Sequence, residues 1–288
     1  MEKREIKLKA LTQKLEEGVK AVFDSENYKT YLRTMSKFHN YSINNSILIA
    51  SQCPVATYVC GYRTWEKEFN RHVNKGEKGI MIYAPRIYKK KDEDGNEEKV
   101  TIYRATYVFD ISQTTGDELP KLIENLEADV SDYQKIKKAL VRVSPTPIDF
   151  EPVESSANGY YSPKEERIVI DSSLSELQTV KTMIHEISHA TLKHGTDECK
   201  TDRFTNEVQA ESIAFLVTGL LGLDTSDYSF GYISSWSSDK EIQELKDSLV
   251  VITETSQGIF EELKSELSKE MKAEQTKNSH ISKKRLKK

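Results

Sequence analysis

At 288 residues, with 37% hydrophobic and 31% charged side chains and a formal net charge of −4, the chain is long enough for two packed domains and too polar to live in a bilayer. No apolar run approaches the length of a membrane span, and the opening MEKREIKLKALTQKLEEG lacks the hydrophobic stretch of a signal peptide. Three cysteines, Cys53, Cys60 and Cys199, form no CxxC pair and are too few for a disulfide framework, so the expected setting is the reducing cytoplasm.

Charge is unevenly spread. Residues 1–115 carry 20 Lys+Arg against 15 Asp+Glu, a balance of +5; the last 20 carry 8 against 2, or +6; the middle is left at −15. Anionic polymers are drawn to the front or the tail, although +5 over such a length is ordinary by itself.

Apolar spacing predicts helices over 1–23 and 25–38, separated near Asp24-Ser25, and a third over Ser42–Gln52 that stops before Pro54. Thr57–Cys60 reads as a strand, Tyr62–Phe69 as a short helix and Asn74–Gly79 as a turn leading into a strand over Ile80–Ala84. KKKDEDGNEEK, residues 89–99, reads as a solvated loop with a hairpin signal at Asp94-Gly95, before a strand over Val100–Asp110. The pattern loosens over 113–131, where the domain junction is placed. A helix follows over Asp132–Val141, an extended segment over Ile148–Val153, and a hairpin made by Asn158–Tyr161 and Arg167–Asp171. Further helices are expected over Asp239–Leu249 and Thr253–Lys272, and KNSHISKKRLKK, with no apolar face, is expected to be disordered. The expected fold class is α+β: a small α+β domain over 1–118, a linker over 119–131, a mainly helical domain with a small sheet over 132–270, and a basic tail over 271–288.

The strongest chemical signal is His185-Glu186-Ile187-Ser188-His189. It lies in a helical run whose apolar positions are Val180, Met183, Ile184, Ile187 and Ala190, so His185 and His189, four apart, share a face and can offer two imidazoles to one cation. Glu186 stands beside them, placed to take a proton from water. A catalytic zinc site takes three protein ligands and keeps one position open. Glu207, 18 residues after His189 and on a second helical run, can return by a turn and an antiparallel helix; Glu211 is one turn further on and can brace a histidine. HExxH followed by NExxxE resembles the gluzincin metallopeptidases. That resemblance implies His185, His189 and Glu207 as zinc ligands, Glu186 as general base, Glu211 as their support, and an unidentified protein or peptide as substrate. The best-known pattern has aspartate where this chain has Glu211. His194 follows His189 by five residues without the glycine turn of a three-histidine site, and reads as a helix-end histidine. Arg167–Asp171 is either an ordinary sheet strand or one that pairs with extended substrate. Tyr160, Tyr161 and Tyr232 are the candidates for stabilising an oxyanion.

In the front half, FHNYSINN (38–45), GYRTW (61–65), RHVNKGEKGI (71–80) and YVFDISQ (107–113) together resemble the N-terminal single-stranded-DNA-binding domain of the ArdC antirestriction family, which occurs on conjugative plasmids and other mobile elements and pairs this domain with a metallopeptidase-like one. The likeness spans roughly residues 5–118, with the HExxH domain following in the same order. It implies a single-stranded-DNA partner. Aromatic faces interleaved with cations suit that partner, because every base can stack. The candidate contacts are Tyr41, Asn44, Asn45, Arg63, Trp65, Arg71, Lys75 and Lys78, with Tyr62 and Tyr107 as further rings and Gly76 and Gly79 open to close phosphate approach. Two other functions stay open: a DNA-binding protein whose zinc is structural, and a regulatory protease like the ImmA/IrrE peptidases, which the HEISH segment also resembles.

Overall fold

The computed structural model describes residues 2–38, 41–91, 97–118, 133–154 and 157–285. In chain order these form α1 (Glu2–Val22), α2 (Ser25–Lys37), α3 (Ile43–Gln52), β1 (Val59–Gly61), α4 (Tyr62–Glu68), β2 (Arg71–Val73), β3 (Ile80–Lys91), β4 (Glu97–Asp110), β5 (Thr114–Gly116), α5 (Tyr133–Val143), β6 (Ile148–Glu151), β7 (Gly159–Ser162), β8 (Arg167–Asp171), α6 (Glu176–Thr191), α7 (Arg203–Leu220), α8 (Ile233–Ser237) and α9 (Ile242–Arg285). The class is α+β. Backbone packing groups 1–122 with 229–249 as one unit, and 123–228 with 250–288 as a second. The stretch read as a linker, 119–131, lies outside the described residues.

The first unit is built on an antiparallel sheet of order β1-β4-β3, with β2 and β5 as a separate pair. Its core collects Leu11, Leu15 and Val19 from α1, Tyr28, Tyr31 and Leu32 from α2, Ile47, Leu48 and Ile49 from α3, and Ile80, Ile82 and Val108 from the sheet, all buried. Ser42 caps α3, accepting from Asn45 N at 3.4 Å. An exposed strand edge invites further pairing and has to be covered. Here α3 covers β3: Asn45 exchanges two hydrogen bonds with the backbone of Tyr83, at 2.9 and 2.8 Å, and Gln52 does the same with Met81, at 2.9 and 3.1 Å. Residues 229–249 complete this core. The Phe230 ring stands 5.0 Å from that of Tyr28, Trp236 5.5 Å from Phe23, and Ser234 Oγ donates to Phe23 O at 3.0 Å.

Two expectations are corrected. The charged stretch 89–99 is not all loop: β3 runs on to Lys91 and β4 begins at Glu97, with Lys90 opposite Glu98 and Lys91 opposite Glu97. The backbone pairing that begins at Ile80 and Val108 continues in register through these positions, which a composition-based reading discounts. The turn at Asp94-Gly95 lies outside the described residues. The two C-terminal helices are one, since α9 continues without a break to Arg285, through most of the tail expected to be disordered. Lys and Arg, which fill four of the nine positions from Lys277 to Arg285, have good intrinsic helix propensity, so this stretch does not need an apolar face to be helical.

In the second unit the sheet order is β6-β8-β7, with β6 parallel and β7 antiparallel to β8. α6 starts at the Ser175 cap, whose Oγ accepts from Gln178 N at 3.3 Å, and α7 at the Asp202 cap, whose Oδ1 accepts from Thr205 N at 2.9 Å. The two helices pack on each other, and Val180, Met183, Ile184 and Ile187 of α6 and Val208, Ala210, Ile213 and Ala214 of α7 are all buried. Buried Ser188 and Ser212 satisfy their hydroxyls on the carbonyls four residues back, at 2.7 and 2.6 Å. Small residues of this kind let the two helices come close.

Candidate metal centre and nucleic-acid face

The packing of α6 against α7 brings His185, His189 and Glu207 together, with one ligand atom of each within 4.8 Å of the others. The two Nε2 atoms are 3.1 Å apart, and Glu207 Oε2 lies 3.6 and 3.7 Å from them. Ligands bound tetrahedrally at zinc–ligand distances of about 2.0–2.1 Å stand roughly 3.3 Å from one another, so this triangle has the size of a zinc face. Glu211 Oε2 sits 3.2 Å from His185 Nδ1. With Nδ1–H donated there, the Nε2 lone pair of His185 faces the carboxylate of Glu207. Electron-rich atoms converging in this way need a positive charge among them, either a proton or a metal ion. Two imidazoles and a carboxylate are a zinc donor set.

The electrostatics say the same. Burial opposes a charge on His185, but Glu207 and Glu211 outweigh it and hold the imidazole up at about 10. Hydrogen bonds from His185 and then His189 hold the Glu207 carboxyl well below its usual range. A group raised in the folded state stabilises fully below its unfolded value and loses that contribution as pH rises through the folded one. Thermal stability of the metal-free protein should therefore fall between pH 6.5 and about 10, and zinc, taking the proton's place, should flatten that slope. A metal-free profile already flat over this range would count against the cluster.

Glu186 is buried beside this triangle. Burial raises its carboxyl, opposed by His185 and His189 and by a hydrogen bond from the Tyr161 backbone. Of the two readings of Arg167–Asp171, the pairing supports the ordinary sheet strand. Arg167–Asp171 is β8, the central strand, and its two edges are taken by β6 and β7. The strand next to α6 is β7. Asp171 N donates to Asn158 O at 2.9 Å, so antiparallel alternation turns the main chain of Gly159 and Tyr161 away from β8, toward the metal site. A cavity of about 340 Å³ opens there, lined by Gly159, Lys181, His185, Glu186, Glu211 and Tyr228 among others.

Of the oxyanion candidates, Tyr160 is exposed and Tyr161 half-buried, while Tyr232 belongs to the other unit. Tyr228, passed over in the sequence, lines the cavity and shares a hydrogen bond with Thr218 at 3.2 Å. His194 is at the helix end as expected, but it is not idle. Lys193, at φ 55, turns the chain back, and His194, only 4% exposed, places Nδ1 2.8 Å from His189 Nδ1 and Nε2 3.2 Å from Gln209 Oε1. Burial, with His189 alongside, holds it down at about 4, so it is neutral at physiological pH. Its spacing matched no ligand pattern, and Gln209 carried no signal at all.

The eight candidate DNA contacts do not form one surface. Asn44, Arg63, Lys75 and Lys78 are exposed. Trp65 is not a stacking platform: it is fully buried, its Nε1 donates to Phe109 O at 2.9 Å, and its ring packs against Tyr58 and Phe69. Asn45 is spent on the edge of β3. Arg71 is half-buried and gives its donors to Thr114 and to the carbonyls of Gly116 and Asp117. Tyr41 is half-buried and donates to Val59 O at 3.0 Å. The DISQ segment closes a capping box, in which Asp110 accepts from Ser112 N and Gln113 Oε1 from Asp110 N. Gly79 leaves room for a ring rather than a phosphate, since an added Cβ would meet Tyr107 at 2.9 Å. The sequence undervalued the exposed rings Tyr62, Tyr103 and Tyr107, at 53, 57 and 42%. Residues 103, 107 and 109 share one face of β4, the Tyr62 ring lies 6.2 Å from that of Phe109, and Lys7 Nζ stands 5.6 Å over Tyr107.

Fold and site define a two-unit α+β chain whose second unit is metallopeptidase-like. Residues 4–109 match the family model for the N-terminal domain of anti-restriction factor ArdC, and residues 101–215 match that of the Putative metallopeptidase family (DUF6782). The crystal structure of metal-free antirestriction protein ArdC from plasmid R388 shares the fold, with a TM-score of 0.50 at 23% identity over 80% of this chain and 86% of that one. A Bacillus anthracis protein, uncharacterized pXO2-81, is 25% identical over 296 residues, 88% of this chain and 50% of that one, so the chain spans half the length of the curated relative it matches. The chain is an ArdC-like protein. Among the described residues no helix is long and apolar enough to cross a membrane.

Proposed function

We propose that this chain binds single-stranded DNA through its first unit and hydrolyses peptide bonds in its second, in the antirestriction or DNA-transfer business of a mobile element. The observation that carries the hydrolase half is the convergence of His185, His189 and Glu207 with Glu186 buried beside them. Bound zinc supplies Lewis acidity toward water and the scissile carbonyl. The chain's own residues do the rest. The outward main chain of Gly159 and the carbonyl of Tyr161 pair with extended substrate, while Tyr161 N–H holds the Glu186 carboxylate in place. Glu186 takes the proton of the attacking water and returns it to the leaving amine. Incubation of the zinc-loaded chain with a peptide library, read by mass spectrometry, tests this. Cleavage that survives complete zinc removal would refute it.

The DNA half is supported by the aromatic row Tyr62, Tyr103 and Tyr107, with Arg63, Lys75 and Lys78 as exposed cations of the same unit. Stacking and phosphate contacts separate by salt. Reversing Lys75 and Lys78 to Glu should lower affinity for labelled single strands and reduce the salt slope by about 1.4, at roughly 0.7 per phosphate. Tyr107→Ala should cost about 1–3 kcal/mol of binding and leave the slope alone. Anisotropy titrations at two salt concentrations distinguish the two, and a slope unchanged by the double reversal would remove these lysines from the interface.

A further inference from the structure

The two ligand histidines are braced from behind by different chemistry. His185 has a carboxylate, Glu211, 3.2 Å from its Nδ1. His189 has another imidazole, His194, with the two Nδ1 atoms 2.8 Å apart. One of these nitrogens carries the hydrogen and the other accepts it. Gln209 decides which. Its Oε1 is 3.2 Å from His194 Nε2 and can only accept, which puts a hydrogen on His194 Nε2 and leaves its Nδ1 a lone pair. His189 must then carry its hydrogen on Nδ1, and its Nε2 lone pair points at His185 Nε2 and Glu207 Oε2, 3.1 and 3.7 Å away. In the opposite arrangement His189 would present N–H to the ligand triangle and no cation could enter.

We propose that His194, held by Gln209, is the positioning residue that fixes the tautomer of His189 and so aims its Nε2 at the metal. The proposal rests on the metal reading above. A neutral partner has a physical advantage at this place. Glu186, Glu207 and Glu211 already gather three carboxylates around the two histidines, and a fourth behind His189 would bury another charge with no cation to match it. An imidazole fixed by an amide gives direction without adding charge. The left-handed turn at Lys193 carries His194 back under His189, with His194 N donating to His189 O at 2.9 Å.

The full chain, ¹⁵N-labelled at histidine, tests this by long-range ¹H–¹⁵N spectra in the zinc-loaded form. His194 is expected as the Nε2–H tautomer and His189 as the Nδ1–H tautomer with a metal-shifted Nε2. Finding His194 protonated at Nδ1 would overturn the proposal, and this reading needs no variant to fold. In chelator competition, His194→Phe and Gln209→Leu should each weaken zinc binding about 10–100-fold. Zinc held as tightly by both disruptive variants as by the parent overturns the proposal while leaving the metal site intact. A parent chain that binds no zinc overturns the metal reading, and the proposal with it.

Discussion

Glu186→Gln should abolish measurable peptide hydrolysis while the chain still binds one zinc ion. The substitution keeps the shape of the side chain and removes its ability to accept a proton. General-base catalysis of this kind is worth roughly 10²–10⁴-fold in rate. Zinc should stay because its proposed ligands are His185, His189 and Glu207, which the change does not touch. In the parent protein kcat/KM should fall on acidification as the Glu186 carboxylate takes up a proton and ceases to be a base. The variant should lack that acid limb. Full activity in Glu186→Gln would remove the residue from the mechanism. DNA protection that persists in the variant would place the antirestriction role in the first unit alone, with hydrolysis serving another purpose.

Trp65→Ala should destabilise the first unit severely. Emptying a buried aromatic site costs about 3–5 kcal/mol. The lost bond from Nε1 leaves the Phe109 carbonyl to find another partner, and the packing of Tyr58 and Phe69 goes with the ring. Urea denaturation followed by far-UV circular dichroism measures this, and the part of the variant that folds should bind single strands as the parent does. Trp65→Phe, which keeps most of the volume, should lose less. Unchanged stability with lost DNA affinity would mean that the indole works at the surface after all.

The site was more legible than the surface. The repeat of Val180, Met183, Ile184 and Ile187 already set the buried apolar face of α6, and His185 and His189, roughly opposite it on the helix, fall on the side that meets Glu207 of α7. The corrections fall where a residue's neighbours come from far along the chain. Asn45 reads as a base contact until β3 arrives 38 residues later and takes both ends of its amide. Arg71 reads as a phosphate clamp until β5 supplies carbonyls 43 and 45 residues away. Trp65, in a seven-residue helix, has no period long enough to show which way it faces.

From local pattern alone the chain determined most of its longer helices, the β7-β8 hairpin, the pairing of two imidazoles four residues apart and the presence of a carboxylate between them, because helical and strand periodicities are short-range properties of the backbone. Tertiary structure decided the rest. It brought Glu207 to within 3.7 Å of both rings and set His194 and Gln209 behind His189. It made β7 rather than β8 the open strand beside Glu186, and it returned residues 229–249 to the first unit. Each of these depends on which surfaces bury against each other across long sequence separations, and no local period encodes that choice.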